Sequence, residues 1–387
     1  MCNNTRLLAE GVSELVIKQY DSLKISNKPS IKSNGIKEWT VLAGIVAIDE
    51  NTNELRLISV ATGVKALPNE ELERSHGRML HDSHAEILAL RAFNVVLLKQ
   101  MALLAANPTE TCDLVERCNT THPYRMRKRW KIALYISRPP CGDCSMDILG
   151  EDDTNYMQFS FDDCCQYINP GIRTTLRGRF NYDCKGVTRT KPGRPDSKIT
   201  LSKSCSDKLA SKQVISILNS TNWKLLETPV FLSYLVLPQH HREKASDGCL
   251  RNFHYRLLGL NEVHSIEMIF CSKKFNGDKE EESQTPCPIS GVYINIKPME
   301  MDIEEGILNG VLNGFYVKAT RPLRKNCESI LSRSSFWTLF TQLGYYVNSN
   351  SYLDFKSKQT SRNQLKEQVR LHLSSDGWIP TSADDCF

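Results

Sequence analysis

Three short stretches carry residue types that could do chemistry together. His84-Ala85-Glu86 sits in "HDSHAEILAL", where a run of helical apolar periodicity begins. Two residues apart at a helix start, both side chains can point into one pocket. A neutral imidazole there binds zinc, and a carboxylate that is not a ligand can shuttle protons beside it. Taken alone, a His near a Glu at a helix start is an ordinary capping or surface feature. Downstream, "RPPCGDCSM" offers Cys141 and Cys144 at a spacing that many zinc sites use, and "LSKSCSDKLASKQ" offers Cys205.

Together, His84, Glu86 and the Pro140-Cys141-Gly142-Asp143-Cys144 turn spell H-x-E…P-C-x-x-C, the signature of zinc-dependent nucleobase deaminases. The chemistry is coherent. An imidazole and thiolates leave one metal position for water, whose pKa zinc lowers to about 7, so a hydroxide nucleophile exists at neutral pH. Glu86 would take the water's proton and deliver protons to the ring nitrogen and the leaving amine. On the residues alone, Cys144 and Cys205 compete to be the third protein ligand.

These residues need strands and helices that end in one place. "EWTVLAGIVAIDE" and "NELRLISVATG" read as strands joined by a turn at Asn51–Asn53. A helix follows over 83–106, with Ile87, Leu88, Leu90, Phe93, Val96, Leu97 and Leu98 at helical spacing. "RWKIALYIS" is a strand running into the Cys141 turn, "SKITLSKS" a strand running into a helix at Cys205, and "PVFLSYLVLP" and "VYINIKP" are further strands. Segments 107–128, 150–170 and 272–288 are polar and turn-rich, and read as surface insertions. The N-terminus reads as an amphipathic helix with Leu7, Leu8, Val12, Leu15, Val16 and Ile17 on one period. This alternation predicts an α/β fold: a mixed sheet flanked by helices, with a helical C-terminal part. A single domain is expected over 1–387, with an N-terminal helical extension over 1–38, a zinc-binding core over 39–240 and a C-terminal part over 241–387.

The 387 residues are 40% hydrophobic, enough for a sizeable core, and the net charge of +5 permits an anionic partner such as RNA without demanding one. The N-terminus lacks a basic region followed by an unbroken apolar run, and "FNVVLLKQMALLAA" is too short and too interrupted to span a bilayer. An intracellular, reducing compartment is therefore expected, with no membrane or DNA partner, a monomeric state, and the fourteen cysteines as buried thiols or metal ligands.

"LHDSHAEILALR", "SRPPCGDCSM", "RTKPGR" and "SCSDKLA", with "VLAGIV" and "VATGVK" upstream, resemble the deaminase domain shared by eukaryotic-type tRNA-specific adenosine deaminases and RNA-editing adenosine deaminases. The resemblance runs from about Trp39 to the C-terminus and implies a cytidine-deaminase-like core. It implies His84, Cys141 and Cys205 as zinc ligands and Glu86 as the proton shuttle. Cys144 stands where the family commonly has a small non-ligand residue, so it becomes a buried thiol. The resemblance further implies inositol hexakisphosphate as a buried structural cofactor. Arg91, Lys208, Tyr352, Lys356, Lys366, Trp378 and Asp385 match its binding positions, and Asp82 and Lys191 match a relay between zinc and cofactor. Leu90 replaces a family Arg, and Ser211-Lys212 replaces Arg-Trp.

No double-stranded-RNA-binding domain fits before residue 39, which points to the tRNA-specific branch. That branch converts adenosine 37, beside the anticodon of alanine tRNA, to inosine. Lys65 matches a position lining the nucleotide pocket, while Val64 replaces a common Thr. Arg189 and Arg194 in "RTKPGR" are expected to contact RNA phosphates, and "YRMRKRWK" (Arg125, Arg127, Lys128, Arg129) is either a further phosphate contact or a solvated loop. A deaminase of other structured RNA, a cytidine or free-nucleoside deaminase, and a non-catalytic RNA-binding relative are the competing readings.

Overall fold

The computed structural model describes residues 3–149, 166–181, 183–191, 197–280, 284–299, 301–345, 348–381 and 383–387. Its helices are α1 (Asn3–Asp21), α2 (Ala85–Ala106), α3 (Met146–Leu149), α4 (Cys205–Ile215), α5 (Ser220–Leu225), α6 (Arg242–Phe253), α7 (Arg333–Gln342), α8 (Tyr352–Ser357) and α9 (Thr360–Leu373). They surround an eight-stranded sheet in the spatial order Glu267–Cys271, Tyr234–Pro238, Trp130–Ile136, Leu42–Asp49, Leu55–Thr62, Ile289–Ile296, Met301–Leu308 and Val311–Leu312.

The sheet is mixed for a sequence reason. Leu42–Asp49 and Leu55–Thr62 are joined by the Asn51–Asn53 turn and pair antiparallel, with Asn53 supplying positive φ. The strands that return after long crossovers, Tyr234–Pro238 and Glu267–Cys271, lie parallel to Trp130–Ile136 and to each other. Leu42–Asp49 is buried along its whole length because both sheet faces are covered. On one face α2 packs Leu88, Phe93, Val96 and Leu97 into the main core. On the other, α1 buries Ala9, Val12, Val16 and Tyr20. Leu7, expected on that buried stripe, is instead 65% exposed.

By length and composition α2 could cross a bilayer, more than its sequence suggested, but most of it is buried within the sheet–helix core. Every described cysteine is a free thiol.

Three expected elements differ. "SKITLSKS" forms no strand; it meets the edge of Thr188–Thr190 opposite Thr175–Arg177 in a single bridge, Thr190 to Lys203, flanked by the Lys191 N–H to Ser202 and Ser204 N–H to Arg189 carbonyl bonds. Nor are 107–128 and 272–288 plain loops. The first carries a ribbon of Val115–Arg117 and Tyr124–Met126, and the second pairs Thr285–Pro286 with Glu38–Trp39 and buries Phe275 and Cys287. Most of 150–170 lies outside the described residues.

Candidate active site

The C-terminal end of strand Trp130–Ile136 runs through Pro139 and Pro140 into the Cys141 turn. Gly142 adopts φ +98°, and a Cβ there would stand 2.2 Å from Ser204 Oγ. Only glycine lets this turn press against the loop leading to α4. Ser204 caps α4 by accepting from the Asp207 N–H at 3.1 Å, which places Cys205 at the first helical position. On the other side, Gly63 at φ +147° would drive a Cβ to 2.0 Å from the Ser83 carbonyl, so its absence lets Val64–Ala66 pair with Asp82–His84 just before α2.

These approaches bring together residues far apart in sequence. His84 Nδ1 lies 3.6 Å from Cys141 Sγ and 3.6 Å from Cys205 Sγ. The Cys205 backbone N–H donates to Cys141 Sγ at 3.4 Å. Cys144 is fully buried and turned away: its backbone N–H donates to Ser206 Oγ at 3.1 Å, and its thiol meets Cys249 of α6. Burial, then the Cys249 contact, pushes the Cys144 thiol well above the usual range, the state of an inert thiol. The hydrogen bond from Cys205, with His84 and Lys191 close by, holds Cys141 well below it against the effect of burial. One imidazole and two convergent sulfurs, one of them held as a thiolate, are a donor set that fits zinc.

Glu86, in the first turn of α2, is 3% exposed. Among the described residues no hydrogen bond ties its carboxylate, which acts electrostatically on both Lys191 and Cys205. Lys191 Nζ donates to Asp82 at 2.8 and 2.7 Å and to Cys205 Sγ at 3.0 Å. Burial alone would disfavour the Lys191 charge, but Asp82 and Cys205 overrule it and raise its pKa. Asp82, for its part, would be raised by burial, but Lys191 and Lys208 hold it well below the carboxylate range. Lys208 also donates to Asp82, and to Ser202 Oγ at 2.6 Å. A chain of charge-assisted bonds thus links the Cys205 sulfur to Lys208.

Lys208 opens onto a cavity of about 400 Å³ between α2, α4 and the C-terminal helices. Its wall includes Arg91 on α2, Lys208 and Lys212 on α4, Arg333 on α7, Tyr352 and Lys356 on α8, and Arg362, Lys366 and Arg370 on α9, with Lys203 and Trp378. Among the described lining residues, nine Lys and Arg face two carboxylates, Asp82 and Asp384. Burial first, then mutual repulsion, lowers Lys212 and Lys356 to about 7 and Lys366 to about 8. Trp378 lies between Lys203 at 5.1 Å and Arg370 at 5.5 Å. So many desolvated cations in one cavity fit a compact polyanion.

Not every expected residue joins a site. Asp385 does not line the cavity; it accepts from Ser351 Oγ at 2.6 Å and the Leu353 N–H at 2.8 Å, capping α8, and its neighbour Asp384 faces inward. A carboxylate at the cap steadies the helix that carries Tyr352 and Lys356. Arg189 is 1% exposed and donates to the carbonyls of Gly178, Phe180, Asn181 and Cys184 at 2.7–3.1 Å, so it is structural and out of reach of RNA. Arg189→Ala should lower stability by at least about 3 kcal/mol, because buried carbonyls lose their donors at about 1–3 kcal/mol each. Denaturant unfolding would check this, and an unchanged midpoint would refute it. Arg194 lies outside the described residues. Lys65 is exposed on the strand paired with Asp82–His84. Arg125, Arg127 and Arg129 pair with Glu116, Glu116 and Asp49.

Sequence reasoning missed Lys203, Arg333, Arg362 and Arg370. For the α9 pair the signal was present: Arg362, Lys366 and Arg370 recur at four-residue steps on one helix face.

A His–Cys–Cys set beside a buried glutamate, gathered from the starts of α2 and α4 and the turn after strand Trp130–Ile136, defines a hydrolytic nucleobase-deaminase site. The chain belongs to the adenosine-deaminase (editase) domain family, which matches residues 59–377. It is 45% identical to tRNA-specific adenosine deaminase 1 of Saccharomyces cerevisiae over 98% of this chain and 94% of that protein. It is 32% identical to tRNA-specific adenosine deaminase 1 of Schizosaccharomyces pombe over 96% of this chain and 94% of that protein. The double-stranded RNA-specific editase Adar of Drosophila melanogaster is 29% identical over 72% of this chain and 44% of its own length.

Proposed function

We propose that this enzyme hydrolyses adenosine to inosine in tRNA, at adenosine 37 of alanine tRNA, with zinc at His84, Cys141 and Cys205 and inositol hexakisphosphate in the cationic cavity. The observation that carries the reading is the convergence of those three side chains, with the buried Glu86 carboxylate near enough to act electrostatically on Cys205. The choice of tRNA is supported by similarity along nearly the whole length of two relatives named as tRNA-specific. We take 1–387 as one deaminase unit whose C-terminal part encloses the polyanion; the cavity wall, drawn from α2 and α4 as well as α7–α9, supports this.

Bound zinc supplies a nucleophile from water at neutral pH. Glu86 accepts the proton of that water and delivers protons to the purine ring nitrogen and then to the departing ammonia, so that adenine plus water gives hypoxanthine plus ammonia. Lys191 holds Cys205 from behind through a charge-assisted contact and takes its own orientation from Asp82. Lys65, on the strand paired with Asp82–His84, is the residue we assign to the incoming nucleotide. A loop adenosine suits such a site because it is already unpaired, so extruding it costs less than in a duplex.

Sequencing inosine positions in a tRNA pool after incubation with the enzyme tests the reading. Inosine at position 37 of alanine tRNA is expected. Inosine confined to duplex RNA, deaminated free nucleosides, or no inosine would overturn it. For the ligand set, Cys205→Ala should lose one equivalent of zinc and the activity while Cys144→Ala keeps both, as metal analysis of the two proteins would report. A Cys205→Ala protein holding as much zinc as the wild type would refute the assignment.

A further inference from the structure

A second cluster of ligand-type side chains stands where the strand Tyr234–Pro238 ends. His240 and His241 belong to the turn Gln239–His241, and Asp278 comes from the loop after Phe275. The donor atoms of these three residues all lie within 4.8 Å of one another. His241 Nε2 and Asp278 Oδ2 are 4.0 Å apart, too far for a hydrogen bond, and the two imidazole centroids are 4.1 Å apart.

His241 is only 9% exposed, and its Nε2 is buried with no hydrogen-bond partner. The backbone of Ser137 hydrogen-bonds the same ring, so that bond falls on Nδ1. The carbonyl therefore accepts from the Nδ1–H, and Nε2 keeps a lone pair aimed at a carboxylate. Metal-ligating imidazoles are held in this way, by an outer N–H donated to a carbonyl. Burial keeps His241 neutral, lowering it to about 3, and pushes Asp278 up to about 6 even with Arg138 nearby. Arg138 Nε meets Asp278 Oδ1 at 3.4 Å and leaves Oδ2 facing His241. The other charges near the cluster are Lys274 beside His240 and Glu280 beside Asp278.

We propose that His240, His241 and Asp278 form a second zinc-binding site, distinct from the His84 centre. Two imidazoles and one carboxylate are a recognised zinc set, and exposed His240 leaves the solvent side open for a water ligand. Zinc there would join the 272–288 segment to the end of strand Tyr234–Pro238, against the backbone of Ser137, four residues before Cys141.

Elemental analysis of the full-length protein after equilibration with micromolar Zn²⁺ and removal of free metal tests this. Two equivalents of zinc are expected in the wild type, one in His240→Ala, one in Asp278→Asn and one in Cys205→Ala. His240 is exposed, so its replacement leaves the fold in place. Full zinc retention by both His240→Ala and Asp278→Asn would overturn the proposal, as would a wild type holding one equivalent that Cys205→Ala loses entirely. If Cys205→Ala keeps all its zinc while His240→Ala loses an equivalent, the second site stands and the His84 assignment falls.

Discussion

Denatured after native purification, the protein is expected to release one inositol hexakisphosphate per chain, and protein made without inositol polyphosphates is expected to be largely unfolded at neutral pH. The charges lining the cavity argue for both outcomes. Lys212 and Lys356, buried and surrounded by Arg91, Arg333, Arg362 and Lys366, fall from 10.5 to about 7. At about 1.4 kcal/mol per pKa unit, holding each of them charged costs on the order of 5 kcal/mol. Two such lysines together approach the whole stability of a typical domain, about 5–15 kcal/mol. A polyanion reverses the sign of this effect, since each ammonium then gains a partner in a low-dielectric cavity.

The pH dependence follows with a definite sign. In protein lacking the polyanion, the folded pKa of these lysines lies below the unfolded value. Between about pH 7 and 10.5 the unfolded chain therefore binds more protons, and stability rises with pH. In loaded protein the lysines are held charged, and that rise disappears. Thermal midpoints of stripped and loaded protein across this window would show the difference, alongside phosphorus analysis of the denatured extract. A phosphorus-free protein with the same midpoint profile as the native preparation would sink the assignment.

How much of this was legible in the sequence depended on the range of each interaction. Local patterns were readable. The strand runs Leu42–Asp49 and Leu55–Thr62 with the turn between them, the helix after His84 and the Pro-Cys-Gly-Asp turn each reflect contacts within a few residues. The ligand set was not readable from spacing, because Cys205 stands 64 residues from Cys141 and 121 from His84. Only the resemblance favoured it over nearby Cys144. Charge alone misled at Arg189. "RTKPGR" has the composition of an exposed basic loop, yet the guanidinium satisfies four backbone carbonyls in the interior, a role that side-chain chemistry permits and sequence does not announce. The cavity was half-legible: Lys366 was noticed alone, although Arg362 and Arg370 flank it on the same face of α9. Asp385 and Asp384 are adjacent, and only the fold decides that the former caps α8 and the latter faces the cavity.

Replacing Glu86 by Gln should lower kcat for inosine formation by about 10²–10⁴-fold, the usual worth of a positioned general acid–base group. The substitution keeps the shape of a side chain that is 3% exposed in the first turn of α2, so the thermal midpoint should stay close to that of the wild type. Zinc content should also stay full, because His84, Cys141 and Cys205 are untouched. The combination matters more than the loss of rate. Cys205→Ala should lose one equivalent of zinc together with activity, whereas Glu86→Gln should lose activity with its full metal content and tRNA affinity retained, as expected of a group that acts on protons and not as a ligand. Single-turnover rates, metal analysis and tRNA binding on the same preparation separate these cases. A Glu86→Gln protein with full zinc and at least about a tenth of the wild-type rate would show that another group moves the proton. Lys191, 3.0 Å from Cys205 Sγ, would be a poor substitute, since Asp82 and Cys205 hold it protonated and leave it no capacity to accept one.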